Sequence, residues 1–235
     1  MRRATVVATL ALLVVPACAT SGPTQARQGE PVRFTTDDGV ELAGELRGDG
    51  KVGVVLAHMF PTDRTSWSSF ATGLGDRGFR TLTFDFRGYG DSGGEKDIPE
   101  IWRDVVAATR ALRDDGATNV VLVGASMGGT AALRAAVQEP VDGVVTLSAP
   151  STFMGLTAPP EVLAGVTVPK LFVAADADGT AAQTAQTFYE QSPAPKRVEI
   201  VIGTEHGTDM LEGRQGELVR RFITSFLERI EQQVP

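Results

Sequence analysis

A serine lies among glycines where an apolar run of this sequence ends. Gly124, Ser126 and Gly128 form a GxSxG pattern directly after the apolar, valine-rich run 120–123, VVLV. This pattern is typical of a sharp turn from a strand into a helix, which lifts the serine hydroxyl above the sheet. Glycine suits such a turn because backbone segments approach one another closely there. The hydroxyl could attack a carbonyl carbon if a nearby base takes its proton, whereas a purely structural turn would need no base.

The chain contains two histidines, and each one follows a predicted strand. His58 follows the apolar run 52–57, and His206 follows the run 197–202. The carboxyl ends of parallel strands meet at one edge of a sheet, which is where doubly wound proteins carry out their chemistry. An imidazole has an ordinary pKa of about 6.5, so it can accept the proton of a serine and return it to a leaving group. We therefore predict that His206 is the general base and that His58 braces the loop after its strand.

A carboxylate is the third group that this chemistry requires. It would hold the second ring nitrogen of the histidine, fix its tautomer and stabilise the imidazolium ion. Asp176 and Asp178 both follow the apolar run 170–174, at the end of another predicted strand. Their position in the chain leaves both aspartates as candidates.

The elements that must position these side chains alternate between strands and helices. Apolar runs predict strands at 52–57, 80–86, 120–124, 141–148, 170–174 and 197–202. Segments of helical period lie at 67–74, 98–112, 126–137, 180–190 and 218–230. Ahead of them, period-two stretches around Asp37, Asp38 and Gly39 predict an antiparallel hairpin. This alternation with short connections indicates an α/β fold, with a doubly wound, mostly parallel sheet and helices on both faces.

The order of the candidates along the chain resembles the α/β-hydrolase superfamily. Ser126, an aspartate and His206 occur in the order of that superfamily's triad. The stretch 85–94, DFRGYGDSGG, is similar to its glycine-rich loop after the fourth strand. The stretch 58–67, HMFPTDRTSW, and a segment 151–168 too short for a cap domain are more similar to the small dienelactone-hydrolase-like members. The resemblance, which runs from about residue 31 onwards, implies an α/β-hydrolase fold with little or no cap and an open site.

The resemblance narrows the choice between the two aspartates. In similar proteins the acid lies a few residues beyond a strand that ends in a small residue. Asp178, after Ala175, matches this offset better than Asp176 does. The implied triad is therefore Ser126, His206 and Asp178.

The resemblance further implies two backbone N–H donors for the oxyanion of a tetrahedral intermediate. One belongs to the residue after the nucleophile, which is Met127. The other comes from the loop after the first parallel strand, where Phe60 is the candidate. Similar proteins carry glycine at the position of Met59. A residue with a Cβ is more restricted in its backbone conformation than glycine, so we expect the shape of this oxyanion hole to differ from that of the family.

The first residues of the chain resemble an export signal. Two arginines precede the apolar stretch 4–15, which is too short to span a bilayer, and small residues follow. The predicted organisation is a signal peptide at 1–19, a flexible tether at 20–30 and a hydrolase domain at 31–235. Cleavage after Ala19 would release a secreted protein. Lipidation of Cys18, the only cysteine, would instead leave a bacterial cell-envelope lipoprotein.

Composition limits the partners of the chain. A formal net charge of −7 argues against nucleic acid, which binds basic surfaces, and we expect membrane contact only through an anchor at Cys18. The loop 87–94 lacks the spacing of phosphate-binding motifs, and the DADG at 176–179 lacks the later glycine and glutamate of a calcium loop. We therefore expect no cofactor and no metal, and a small-molecule ester as the substrate.

Two functions fit this pattern. The first is a serine hydrolase that cleaves a carboxylic ester or thioester through an acyl-enzyme, although acyl transfer or peptide cleavage would use the same groups. The second is a non-catalytic envelope lipoprotein that binds a small molecule or a protein. Serine at position 126 argues against dehalogenases and epoxide hydrolases, which resemble this fold but use aspartate there. A complete set of serine, aspartate and histidine favours the enzyme, because binding alone would not require all three.

Overall fold

The computed structural model describes Met1 and residues 29–233, and an eight-stranded sheet lies at its centre. Apart from Met1, the predicted signal peptide with Cys18 lies outside the described residues, as does most of the predicted tether. The strands are β1 (Glu30–Thr35), β2 (Glu41–Arg47), β3 (Val52–Ala57), β4 (Arg80–Phe84), β5 (Asn119–Ala125), β6 (Gly143–Leu147), β7 (Thr152–Phe153), β8 (Leu156–Thr157), β9 (Lys170–Ala175) and β10 (Lys196–Val201). The order in the sheet is β1-β2-β4-β3-β5-β6-β9-β10, and β7 and β8 pair separately.

Helices connect the parallel strands. They are α1 (Ser68–Gly75), α2 (Ile101–Asp114), α3 (Met127–Ala135), α4 (Pro160–Gly165), α5 (Ala181–Gln191) and α6 (Gly216–Glu231). Short 3-10 helices lie at Arg64–Trp67, Ile98–Glu100 and Gly207–Leu211. Among the described residues, no helix has both the length and the apolar character needed to cross a bilayer.

The antiparallel hairpin predicted around residues 37–39 is present. It is formed by β1 and β2, and the N–H of Thr36 donates to the carbonyl of Val40 at 2.9 Å to close the turn. Gly39 has a φ of 87°, a left-handed conformation that glycine adopts without strain. β2 also pairs with β4 in antiparallel fashion, so the hairpin extends the parallel part of the sheet.

The other strands of the sheet run parallel to β4, and helices cover them on both faces. Every residue of β3 is buried, as expected of a strand covered on both sides. Its side chains alternate between the faces: Val54 and Leu56 belong to the hydrophobic cluster that includes residues of α1 and α6, whereas Val55 and Ala57 belong to the cluster that includes residues of α2, α3 and α5. The predicted doubly wound α/β fold is confirmed.

The strand predicted at 80–86 ends two residues early, at Phe84. The buried carboxylate of Asp85 accepts the backbone N–H of Arg64 at 2.8 Å and that of Asp91 at 2.9 Å. These bonds turn the chain out of the sheet, since they draw the loop after β3 and the loop after β4 onto one side chain.

The segment 151–168 forms no cap domain in the described chain. It holds the β7–β8 hairpin and the short helix α4. The expectation of little or no cap is therefore confirmed, and the carboxyl edge of the sheet is left open.

Candidate active site

Ser126 lies at the junction of β5 and α3 in a strained conformation. Its φ of 49° and ψ of −120° are rare for a residue with a side chain. The flanking glycines make the turn possible: a Cβ at Gly124 would lie 2.3 Å from the carbonyl oxygen of Gly128. A Cβ at Gly128 would lie 2.4 Å from the carbonyl oxygen of Ala57. The predicted helix therefore starts after Ser126 and not at it.

Asp178, and not Asp176, reaches His206. The Nδ1 atom of His206 lies 2.8 Å from Oδ2 of Asp178. The Oδ1 atom of Asp176 instead accepts the backbone N–H of Gly203 at 3.0 Å. A carboxylate can only accept, so Nδ1 carries the proton and Nε2 keeps a free lone pair. The side chain of His206 is 42% exposed, so a substrate can reach it.

The segment after His206 packs against the strand end that carries the candidate nucleophile. A Cβ at Gly207 would lie 3.4 Å from the Cβ of Ala125. The hydroxyl of Ser148 donates to Sδ of Met210 at 3.4 Å and so ties this segment to the end of β6. The segment that follows His206 therefore lies at the carboxyl ends of β5 and β6.

No hydrogen bond joins the imidazole to the candidate nucleophile, although the backbone segments that carry them lie side by side. Within residues 29–233, the hydrogen bonds of His206 go to Asp178 and, through its backbone carbonyl, to Asp209. None of them joins the hydroxyl of Ser126. A general base is commonly farther from its nucleophile before substrate binds than during the reaction.

Two backbone N–H groups at this edge have no acceptor among the described residues. Met127 is the first residue of α3, so its N–H has no partner within the helix. The N–H of Phe60 belongs to a peptide whose carbonyl, that of Met59, accepts three hydrogen bonds. The donors are the backbone N–H of Thr62 at 3.0 Å, its hydroxyl at 2.9 Å and Nδ1 of His58 at 2.9 Å. The C=O and N–H of a trans peptide point in opposite directions, so these bonds fix the direction of the Phe60 N–H.

His58 is a buried brace between the two loops. Its Nε2 accepts the backbone N–H of Phe86 at 3.1 Å, so Nδ1 carries the proton that is donated to Met59. Burial lowers the pKa of His58 below its ordinary value, which keeps the ring neutral. The rings of Phe86 and Tyr89 lie 4.8 and 5.1 Å from the imidazole, centroid to centroid. His58 therefore positions the loop, in agreement with the sequence, and is closed to substrate.

The family model of the Alpha/beta hydrolase family matches residues 54–226, which include every residue of this site. The chain belongs to the alpha/beta hydrolase family. This confirms the resemblance inferred from the motifs, and the family supports a hydrolase.

Relatives of this alpha/beta hydrolase include two bacterial proteins. The uncharacterized protein Rv2307c of Mycobacterium tuberculosis is 28% identical over 224 residues, which cover 83% of this chain and 79% of that protein. YfhR of Escherichia coli K12 is 24% identical over 228 residues, which cover 84% of this chain and 80% of that protein.

Solved structures share the fold. The esterase Pf2001 of Pyrococcus furiosus has a TM-score of 0.74 at 20% identity, covering 86% of this chain and 91% of that chain. The esterase EaEST of Exiguobacterium antarcticum has a TM-score of 0.69 at 18% identity, covering 84% of this chain and 99% of that chain. At these identities the likeness establishes the alpha/beta hydrolase architecture.

Met59 departs from the alpha/beta hydrolase pattern without straining its backbone, which does not take a left-handed φ. Its side chain is buried, and its Sδ would lie 2.6 Å from a Cβ at Gly207. Gly207 itself has a φ of 56°, a conformation that favours glycine. Met59 thus packs beside the residue that follows His206, a contact that no sequence motif indicated.

A charged cluster formed by the buried Arg87 and Asp104 and the exposed Asp38 joins three segments of this hydrolase. The guanidinium of Arg87 donates to both carboxylate oxygens of Asp38, at 2.7 and 3.1 Å, and to Oδ1 of Asp104 at 2.8 Å. Hydrogen bonds from Arg87 hold the pKa of Asp38 at about 2, whereas burial raises the pKa of Asp104 to about 6. The cluster joins the β1–β2 turn, the loop after β4 and α2. No motif predicts it, because its members come from three separate segments.

Proposed function

We propose that this chain is a serine hydrolase that cleaves carboxylic esters or thioesters through an acyl-enzyme. The observation that supports this most is the 2.8 Å bond between Nδ1 of His206 and Oδ2 of Asp178, at the same edge of the sheet as the strained turn at Ser126. This bond leaves Nε2 free to take a proton from a hydroxyl. A protein that only binds a ligand would not require a strained serine at the same edge of the sheet as an oriented imidazole.

In the first half of the reaction, Oγ of Ser126 attacks the carbonyl carbon and its proton passes to Nε2 of His206. The negative carboxylate of Asp178 stabilises the imidazolium ion that forms. The tetrahedral intermediate then collapses: its bond to the leaving oxygen or sulfur breaks, and His206 returns the proton to that atom. An alcohol or thiol leaves, and the acyl group stays on Ser126.

In the second half, water takes the place of the alcohol or thiol. His206 removes a proton from the water as its oxygen attacks the acyl carbon. The second intermediate expels Oγ of Ser126, which recovers its proton from His206, and the carboxylic acid leaves. The two halves balance with water as the co-reactant.

Both intermediates carry a negative oxygen, for which we propose the N–H groups of Met127 and Phe60 as donors. The carbonyl of Met59, fixed by three hydrogen bonds, orients the second donor before substrate arrives. Such preorganised donors stabilise charge in the transition state without first having to reorient. Loss of one donor of this kind typically lowers kcat by about 10²–10³-fold.

The substrate class and the location are part of the same proposal. The open edge of the sheet favours esters of short or medium acyl chains, and two proteins of the same fold bear the name esterase. We propose that the chain is exported, either held in the cell envelope through Cys18 or released after cleavage. Mass spectrometry of the mature N-terminus distinguishes a lipidated cysteine from a free end after Ala19.

A fluorophosphonate probe tests the proposed nucleophile, because it reacts with serines that a base activates. We expect the wild type to be labelled and to hydrolyse p-nitrophenyl butyrate, and Ser126→Ala to lose both activities. Ser69→Ala is the matched control, since Ser69 is an exposed serine of α1. The control should behave as the wild type.

Two results would refute the enzyme. One is a folded wild type that neither reacts with the probe nor hydrolyses the ester, which would favour a non-catalytic binding protein. The other is labelling that survives Ser126→Ala, which would assign the reactive serine elsewhere. Circular dichroism of each variant establishes that it is folded.

A further inference from the structure

Phe60, Phe153 and Met154 form an apolar strip at the carboxyl edge of the sheet, the edge that carries the proposed nucleophile. The rings of Phe60 and Phe153 contact each other with centroids 5.6 Å apart. Phe60 is 43% exposed and Met154 is 65% exposed, although both side chains are large and hydrophobic. Exposed apolar side chains that cluster in this way mark a binding surface more often than isolated ones do.

The hairpin that carries part of this strip is fixed in place. Met154 and Gly155 form its two-residue turn, with φ values of 45° and 90°. The hydroxyl of Thr130 in α3 donates to the carbonyl of Pro150 at 2.6 Å and so ties the start of the hairpin to the helix behind the serine. Next to the turn, Leu156 is fully buried. Met154 therefore holds a strained backbone conformation at the tip of a rigid hairpin, with its side chain in solvent.

The strip and the imidazole lie on opposite sides of the sheet edge. Phe153 and Leu156 of the hairpin pack with the cluster of α2, α3 and α5. Met59 and Met210, which hold the segment of His206, belong to the cluster of α1 and α6. Ser126 lies between the two groups, since its neighbour Ala125 belongs to the cluster of α1 and α6 and its neighbour Met127 to the other cluster.

This arrangement separates the two ends of an ester. The leaving oxygen must lie next to His206, which gives it a proton, so the alcohol extends toward that side. The acyl group then extends the other way. It passes the residue whose N–H is the proposed oxyanion donor, Phe60, and that residue begins the apolar strip.

We infer that the strip of Phe60, Phe153 and Met154 binds the acyl chain of the substrate, so the enzyme prefers esters of medium-length apolar acids to acetates. This inference rests on the proposed function. The hairpin segment 151–157 carries no charged side chain, so it offers no partner to an anionic acyl group. Each methylene that the strip covers should raise kcat/KM by about two- to fourfold.

A chain-length series tests the inference. The kcat/KM values for p-nitrophenyl acetate, butyrate, hexanoate and octanoate are measured for the wild type, Met154→Gln and Ile202→Gln. Ile202 is the control because it is also large, apolar and exposed, but lies beyond the end of β10. We expect the octanoate-to-acetate ratio to exceed about tenfold in the wild type, to fall at least about fivefold in Met154→Gln and to stay unchanged in Ile202→Gln.

The outcomes distinguish this inference from the proposed function. Hydrolysis that depends on Ser126 but shows the same chain-length ratio in Met154→Gln as in the wild type would overturn the strip alone. A ratio that falls equally in Ile202→Gln would also overturn it. If the wild type shows neither hydrolysis nor probe labelling, the proposed function is overturned, and this inference with it.

Discussion

Replacing Asp178 by asparagine is the sharpest test of the proposed triad, because the chain supplies its own control two residues away. Asp178→Asn keeps the size of the side chain and removes its charge. The amide can donate a hydrogen bond to Nδ1 of His206, which would shift the ring proton to Nε2. The base that should receive the proton of Ser126 would then already hold one.

The hydrogen bonds of the two aspartates determine how strongly Asp178→Asn and Asp176→Asn should lower kcat. The bond that Asp178→Asn alters is 2.8 Å long and joins the carboxylate to the reacting ring. A wrong tautomer and a lost charge in such a pair lower kcat by about 10⁴-fold, which corresponds to about 5.5 kcal/mol of transition-state stabilisation. Asp176→Asn alters one bond, the 3.0 Å contact with the N–H of Gly203. That bond contributes about 1 kcal/mol to folding and touches no reacting group, so kcat should change by less than about tenfold.

The assay is steady-state hydrolysis of p-nitrophenyl butyrate by the wild type and both variants. Probe labelling of Ser126 is followed in parallel. We expect Asp178→Asn to lose at least about 10³ in kcat and Asp176→Asn to remain within about tenfold of the wild type. Equal losses in both variants, or a larger loss in Asp176→Asn, would refute the assignment of the acid.

Three further predictions concern the contacts that support the site. Arg87→Met should lower the free energy of unfolding in urea by about 3–5 kcal/mol, because it leaves Asp104 buried without its cation. A loss below about 1 kcal/mol would contradict this role. Gly207→Ala should lower kcat/KM by about tenfold or more, because alanine is strained at a φ of 56° next to His206 and its Cβ would displace Sδ of Met59. Adding Met59→Ala should recover part of that loss, and no recovery would disprove the contact. Burial lowers the pKa of Lys170 from 10.5 to about 8, so the unfolded chain holds this proton to higher pH than the folded one. The free energy of unfolding should therefore gain a contribution as pH rises from about 8 to 10.5, and Lys170→Met should abolish it in urea titrations at several pH values.

Much of the fold could be predicted because parallel strands covered on both faces leave continuous apolar runs in a sequence. The run 120–123 predicted the central strand, and the glycines after it predicted the sharp turn. The place where β4 ends could not be read in this way. It depends on Asp85, whose carboxylate binds backbone groups of two loops, and such a bond has no local pattern.

The same distinction applies to the candidate site: the strand order predicts one part of it, and a local turn decides the other. Strand ends predicted that Ser126 and His206 share one edge of the sheet, because the topology alone brings those ends together. The choice between Asp176 and Asp178 depends on the turn after β9, where the N–H of Asp178 donates to the carbonyl of Ala175 at 3.3 Å. Side-chain direction within a turn of this kind is set by backbone dihedrals that spacing does not encode.

The backbone at residue 126 has a consequence for how such a protein could lose its activity. Its dihedrals, φ 49° and ψ −120°, match the first central position of a type II′ turn, where glycine is at ease and serine costs about 1–3 kcal/mol. Ser126→Gly would therefore remove the proposed nucleophile and at the same time stabilise the fold. The serine at this position therefore costs the fold stability that glycine would not cost, in a turn otherwise built of small residues.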